Sequence, residues 1–460
     1  MGRAHLSRAS RYFPRALGII YLIAFVSFGI QASGLIGSRG ILPLENYLLA
    51  VRREMGPRAF WYVPTVFWVN ASDFALRLAS IAGAVLAMVL ILGYWRRASL
   101  CLLFVLYLSI STAGQDFWSF QWDILLTEAG FLAIFLDGTA GRAWLFRWLL
   151  FRLMFMSGMA KLLSGDSAWR DFTALSYHYL TQPLPTPVAW YLYQLPLWFH
   201  KVSTGFTLLA ELVVPFLIFA PRRFRRTGAA TLVGLQVLIL LSGNYTFFNL
   251  LTIALCLFLV WPDSTQNTAR ESRMHRIATL ALWAFVGFTS GLELLDMFPY
   301  PLPSPARAYL RWLSPLRIVN SYGLFAVMTT TRPEIQVEGS ADGETWLPYE
   351  FRYKPGDVRR APPWVAPYQP RLDWQMWFAA LGNPQQNPWL YSFAARLMEG
   401  SPPVLGLLEH NPFPAAPPRY IRAIVYDYQF TNFAERRASG AWWRRRQIAT
   451  YMAPVSLRSQ

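Results

Sequence analysis

SFQWDILLTEAGFLAIFL, residues 119–136, is apolar enough to cross a bilayer, yet it carries Asp123 and Glu128. The next apolar run, Ala143 to Leu163, holds Arg147, Arg152 and Lys161, and a later one holds Glu211. A charge placed in hydrocarbon costs roughly 2.5–3.5 kcal/mol on insertion scales. Such residues persist only with a partner or a task. The polar positions inside these segments therefore mark where function is to be sought.

Working outward, the composition supports the same class. The chain has 460 residues, 54% hydrophobic, 16% aromatic and only 15% charged. Soluble domains carry about a quarter charged residues. The formal charge of +17 is almost all arginine, with lysine only at Lys161, Lys201 and Lys354. That bias reads as a genome-composition effect, and no recognition fold for nucleic acid accompanies it, so no nucleic-acid partner is expected. Cys101 and Cys256 lie in apolar spans and read as small buried hydrophobes. The first apolar stretch, about 16–37, is too long for a cleavable leader and reads as a signal anchor.

A span needs about 17–25 mostly apolar residues. Hydropathy predicts about nine, near 16–37, 74–93, 98–114, 119–137, 143–163, 202–220, 227–242, 245–261 and 275–296. Arginines decide the orientation: Arg3, Arg8, Arg11 and Arg15; Arg96 and Arg97; Arg142; Arg222, Arg223, Arg225 and Arg226; and Arg270, Arg273 and Arg276. All fall on one side of a nine-span bundle, which the positive-inside rule makes the cytoplasm. The segments 38–73 and 164–201 are then outer loops, and everything past Met297 lies outside. Asn70-Ala-Ser72 and Asn244-Tyr-Thr246 are sequons at outer loops, read as chance occurrences.

The expected architecture is an α-helical polytopic bundle over 1–298, a Pro-rich linker over 299–318, and an extracytoplasmic, mainly β, sandwich-like domain over 319–460. In that domain Pro333–Glu338 alternates, Asp342-Gly343 offers a hairpin turn, and Tyr349, Phe351 and Tyr353 share a strand face. Segments 373–381 and 389–399 read as helices and 420–430 as a strand.

Depth along antiparallel neighbours at about 1.5 Å per residue matches Glu128 with Arg152 and brings Asp123 within a turn of Lys161. Glu211 sits near mid-depth. One reading is that these pairs only lock helix register. The other is a polar cavity opening outward, its wall continuing into Asp166, Trp169, Arg170, Asp171, His178 and Gln182, with Lys161 or His178 as the candidate catalytic group. No nucleophile elbow, metalloprotease helix, Walker loop or Cys-x-x-Cys is present, and no cofactor or metal is expected.

Several stretches, in order over about 115 to 455, resemble the lipase maturation factor family. They are 119–131, FRLMFMSGMAK at 151–161, WRD at 169–171, YHYLTQP at 177–183, ELVVP at 211–215, VNSYGLF at 319–325, YEFRYKPGD at 349–357, RLDWQMWFAAL at 371–381, HNPF at 410–413 and WWR at 442–444. In animals these multi-spanning proteins reside in the ER membrane and assist assembly of dimeric secreted lipases. The resemblance implies a chaperone-like maturation role toward exported proteins, lipase-type clients included, held by the C-terminal domain. Tyr322, Asp373, Trp374, Trp377, His410 and Asn411 are the candidate client contacts. The arginine-rich chain looks bacterial, so the expected site is a cytoplasmic membrane, or the ER membrane with a lumenal domain if eukaryotic. The segment 157–162 followed by Trp169 is also similar to the core of vitamin K-dependent carboxylases, where a lysine matching Lys161 acts as base. A lipid or solute transporter is a third reading.

Overall fold

The computed structural model describes residues 8–261 and 272–457; Arg3 and Arg270 of the charge argument lie outside them. Nine helical segments follow the apolar runs. They are α1 (Arg8–Leu35), α2 (Asp73–Leu92), α3 (Arg96–Ala113), α4 (Gln121–Phe135), α5 (Ala140–Leu163), α6 (Leu197–Leu212), α7 (Arg222–Ser242), α8 (Phe248–Leu255) and α9 (Arg273–Asp296). Local chemistry sets their ends. Ser72 accepts the Ala75 N–H at the start of α2, and Gly93, at φ 90°, closes it in the left-handed region. Pro215 lacks an N–H, and α6 gives way there to a 3-10 segment, Val214–Phe219.

Six of these are long and apolar enough to cross a membrane: α1, α2, α3, α6 with its 3-10 extension, α7 and α9. The expected count of about nine is not confirmed. At 15 residues α4 reaches only about 22 Å, short of a roughly 30 Å hydrocarbon core. The α8 segment is shorter still. Long as it is, α5 is diluted by its arginines. Both α4 and α5 are buried on nearly all sides, so protein, not lipid, surrounds their charges. The outer helices show the reverse pattern. Phe74, Ile81 and Leu92 on α2, and Leu280 and Phe288 on α9, stand exposed, the apolar surface a bilayer covers. Cys256 is buried as expected, whereas Cys101 is exposed on α3.

The two ends of the bundle differ. At one, Arg96 reaches the Leu136 carbonyl (2.5 Å), Arg142 pairs with Asp137 (2.8 Å), and Arg225 reaches the Leu259 carbonyl (3.1 Å). At the other sits the C-terminal region. The linker is not a free spacer. It holds α10 (Ser304–Leu313), whose Trp312 stacks on Trp61 at 4.7 Å.

Beyond it, β1 (Pro333–Ser340), β2 (Leu347–Pro348), β5 (Tyr420–Phe430) and β6 (Trp443–Ser456) form an antiparallel sheet in the order β2-β1-β5-β6. A two-stranded ribbon pairs β3 (Glu350–Phe351) with β4 (Leu408–His410). Asp342 builds the expected turn, accepting N–H bonds from Glu344 and Thr345 at 2.8 Å, with Gly343 at φ 85°. Those donors hold the Asp342 carboxyl well below the usual range. The helices α11 (Arg371–Ala380) and α12 (Trp389–Met398) pack on this sheet, so the sandwich form is not confirmed. One apolar core runs from the bundle into this region.

Candidate functional site

The embedded charges are satisfied largely by the C-terminal region, through the extended segment 317–332 and α11. Glu128, wholly buried on α4, pairs with Arg152 of α5 as the depth argument expects. The carboxylate also accepts from Asn320 N (3.0 Å), Asn320 Nδ2 (2.9 Å) and Tyr322 Oη (2.8 Å), while Arg152 donates to the Asn320 carbonyl (2.9 Å). Asp123 does not meet Lys161. Arg371, at the start of α11, forks onto it at 2.8 and 2.9 Å, and Tyr107 donates to it at 2.5 Å. The Arg371 guanidinium lies 3.9 Å from the Trp118 ring centre. A bidentate guanidinium outcompetes a lysine that would have to span a full turn.

Lys161 pairs instead with Glu211 of α6, at 2.7 Å, and donates to the carbonyls of Leu324 (3.0 Å) and Ser157 (3.3 Å). Gly158 makes this pair possible. A Cβ there would lie 2.8 Å from Leu212 and 3.0 Å from Glu211, so only glycine lets α6 come so close to α5. Arg147 donates to the Phe258 carbonyl (2.8 Å) and faces the Trp144 ring, which ties α5 to α8.

The outer-loop residues divide. Asp166 caps the turn at Ala168 (2.8 Å) and accepts from Met328 N (2.5 Å), and Trp169 Nε1 donates to the Phe325 carbonyl (3.0 Å). Arg170 and Asp171 are exposed and stand apart from the charge seam. Gln182 donates to the Ser242 carbonyl (2.9 Å) and accepts from Tyr245 Oη (2.8 Å), and that hydroxyl lies 3.2 Å from His178 Nε2. With the Tyr245 proton on Gln182, His178 donates through Nε2. Burial, with the Lys161 ammonium nearby, pulls His178 down to about 4, so it is neutral at pH 7.

Four of the six expected client contacts are interior. Tyr322 caps Glu128. Asp373 accepts N–H bonds from Tyr353 (2.8 Å) and Lys354 (2.9 Å), and burial pushes its carboxyl up against their pull. Trp374 packs on Trp122 at 4.7 Å, and Trp377 donates to the Thr181 carbonyl (2.9 Å). The α11 residues among these candidates lie on its docking face, a distinction that periodicity cannot make. Of the set, only His410 and Asn411 keep surface exposure.

Reading the sequence missed the role of Arg332 and the burial of Asn244. Arg332 donates to the carbonyls of Leu180 (2.6 Å), Gln182 and Pro183 (2.8 Å) and pairs with Glu334 (2.8 Å), clamping the outer loop to β1. Asn244 accepts from Val365 N (2.7 Å) and Ala366 N (3.0 Å), so its sequon is structurally consumed. An arginine directly before an alternating strand was the available signal for Arg332.

Beside the Lys161–Glu211 pair lies a cavity of 530 Å³ lined by α5, α6, α7 and the outer-loop helices, with Trp169, His178, Tyr245 and Phe325 in its wall. Asp166, Arg170, Asp171 and Gln182 do not line it.

Together these features define a multi-pass helical membrane protein whose embedded charges are closed off by a C-terminal domain docked on one end of the bundle. The chain belongs to the lipase maturation factor family. Residues 8–267 match the family described as lipase maturation factor transmembrane domain, and residues 318–453 match the lipase maturation factor C-terminal domain. Lipase maturation factor 1 of Bos taurus is 36% identical, covering 96% of this chain and 88% of its own. Lipase maturation factor 2 of Gallus gallus is 36% identical (98% and 82%), and that of Homo sapiens 35% (97% and 82%). No solved structure matches. The carboxylase-like reading finds no support: the matched family is another one, and Lys161 is held by Glu211 and two carbonyls.

Proposed function

We propose that this chain assists the folding, assembly or maturation of exported proteins, lipases among them, from a membrane in which its bundle is anchored. The observation that carries the reading is the ordered match of both regions to proteins named for lipase maturation, at about a third identity over nearly the whole chain. The bundle then serves as a rigid seat and the C-terminal domain as the client platform. Three buried ion pairs engaged by that domain fit a seat better than a reaction centre.

Loop charge supports an orientation. The arginine-bearing turns gather at the end away from the domain, which the positive-inside rule assigns to the cytoplasm. The domain then faces the periplasm in a bacterium or the lumen in an ER membrane. Nine alternating passes, with α4 and α8 as short internal ones, satisfy that arrangement.

His410 and Asn411 are the sequence-derived client candidates that remain at the surface. The test is co-expression with an exported lipase, measuring the specific activity of the secreted enzyme. Specific activity should fall without this chain and fall partly with His410→Ala/Asn411→Ala, and a photo-crosslinker at 410 should capture the lipase. Unchanged lipase activity in cells lacking the chain would refute the role.

A further inference from the structure

The cavity beside Lys161 has no task in a seat for a client platform. Its 530 Å³ falls within the roughly 300–1,000 Å³ typical of small-molecule sites, and its wall is mostly apolar with a few polar groups. Among the residues lining it, Val202 of α6 is 64% exposed and Leu238 and Leu241 of α7 are 56% and 44% exposed. Both helices are among the six able to cross a membrane. A cavity whose exposed rim consists of such side chains opens sideways, into lipid, rather than toward water.

We propose that this cavity takes one acyl chain of a membrane glycerolipid, entering between α6 and α7. The chemistry of the polar wall selects the kind of lipid. The ammonium of Lys161 is already committed to Glu211 at 2.7 Å and to the Leu324 carbonyl at 3.0 Å. His178 and Tyr245 add polarity without net charge, their N–H and O–H being spent on Tyr245 and Gln182. An ionised fatty acid would bring a second carboxylate to Glu211 with no cation left to meet it, and that repulsion is strong where water is excluded. The ester and glycerol oxygens of a diacyl lipid carry no such penalty. Leu324 and Phe325, which close the cavity, belong to the segment that docks the C-terminal domain. The bound chain therefore touches the junction between bundle and domain. This inference does not depend on the client being a lipase.

The probe is a phosphatidylcholine with a diazirine near the end of one acyl chain, photolysed with the full-length protein in vesicles and mapped by peptide mass spectrometry. Labelling should concentrate on cavity residues such as Phe206 and Ile239, above lipid-facing Leu280 and Phe288 of α9. Ile239→Trp, which narrows the cavity between α6 and α7, should lower it about tenfold, equivalent to about 1.4 kcal/mol, whereas Leu280→Trp should leave it unchanged. A diazirine fatty acid at the same level should label the cavity weakly. Labelling spread evenly over the outward helices, or insensitive to Ile239→Trp, overturns the site; strong cavity labelling by the fatty acid overturns the choice of head group. Native mass spectrometry of the unaltered protein after detergent washing gives a check free of variants. One phospholipid retained per chain is expected, and none retained overturns the proposal.

Discussion

Glu128, wholly buried, accepts from Arg152, Asn320 and Tyr322, and that density of bonds makes its charge tolerable. Removing one partner of such a pair strands the other. Arg152→Ala is expected to cost about 3–5 kcal/mol, read as a large fall in unfolding temperature in detergent. The isosteric pair Glu128→Gln with Arg152→Met should cost clearly less, since no buried charge is left alone. His178 gives a pH signature. Its folded value of about 4 lies below the ordinary 6.5, so folding favours the neutral ring. The stability it contributes is complete above pH 6.5 and is lost as pH falls toward 4, because the unfolded chain then binds a proton the folded one refuses. Unfolding temperatures of wild type and His178→Gln should converge across that window, and parallel curves would mean the ring is not desolvated.

The extended segment 317–332 and the start of α11 act together at the bundle end, the first reaching Glu128 and Lys161 and the second Asp123. Arg371→Ala leaves Asp123 with Tyr107 alone and should loosen this insert, so limited proteolysis between residues 313 and 333 should proceed much faster. Arg444→Ala, which breaks the exposed pair with Glu435, should change cleavage little, as exposed pairs contribute about 0–1 kcal/mol. The positions of the helices, the hairpin at Asp342 and the strand at 420–430 were legible in the sequence because each rests on local periodicity or turn chemistry. The Glu128–Arg152 pair was legible too, since both residues lie on helices joined by a short turn. The partner of Asp123 was not. Arg371 is 248 residues away, and depth bookkeeping compares only neighbours. For the same reason Trp374 and Trp377 read as client contacts although they lie on the docking face. β6 escaped because three consecutive arginines, 444–446, and register shifts against β5 hide its alternation.

At the scale of the whole molecule, loop charge predicts the sidedness of a bundle with basic turns at one end and a docked domain at the other. The chain bears 42 basic against 25 acidic residues, but what decides orientation is where the short loops put them. The arrangement makes a demanding prediction, because the same end must hold Ser38, Asp171 and Asn411, while Arg97 and Arg223 must lie at the other. In a protein with Cys101 and Cys256 replaced by serine and expressed in the cytoplasmic membrane of a bacterium, single cysteines at 38, 171 and 411 should react with a membrane-impermeant maleimide in intact cells. Cysteines at 97 and 223 should react only after permeabilisation. Labelling at 411 but not at 38 would break the shared outer end, since Arg396 and Ser401 of the domain bond the carbonyls of Gly40 and Arg39 beside it (2.8 and 2.6 Å). Labelling of 97 in intact cells would reverse the bundle, moving the domain to the cytoplasm, where an exported client in its final stages of folding is not found. The topology and the maturation role therefore stand or fall on the same pattern of five cysteines.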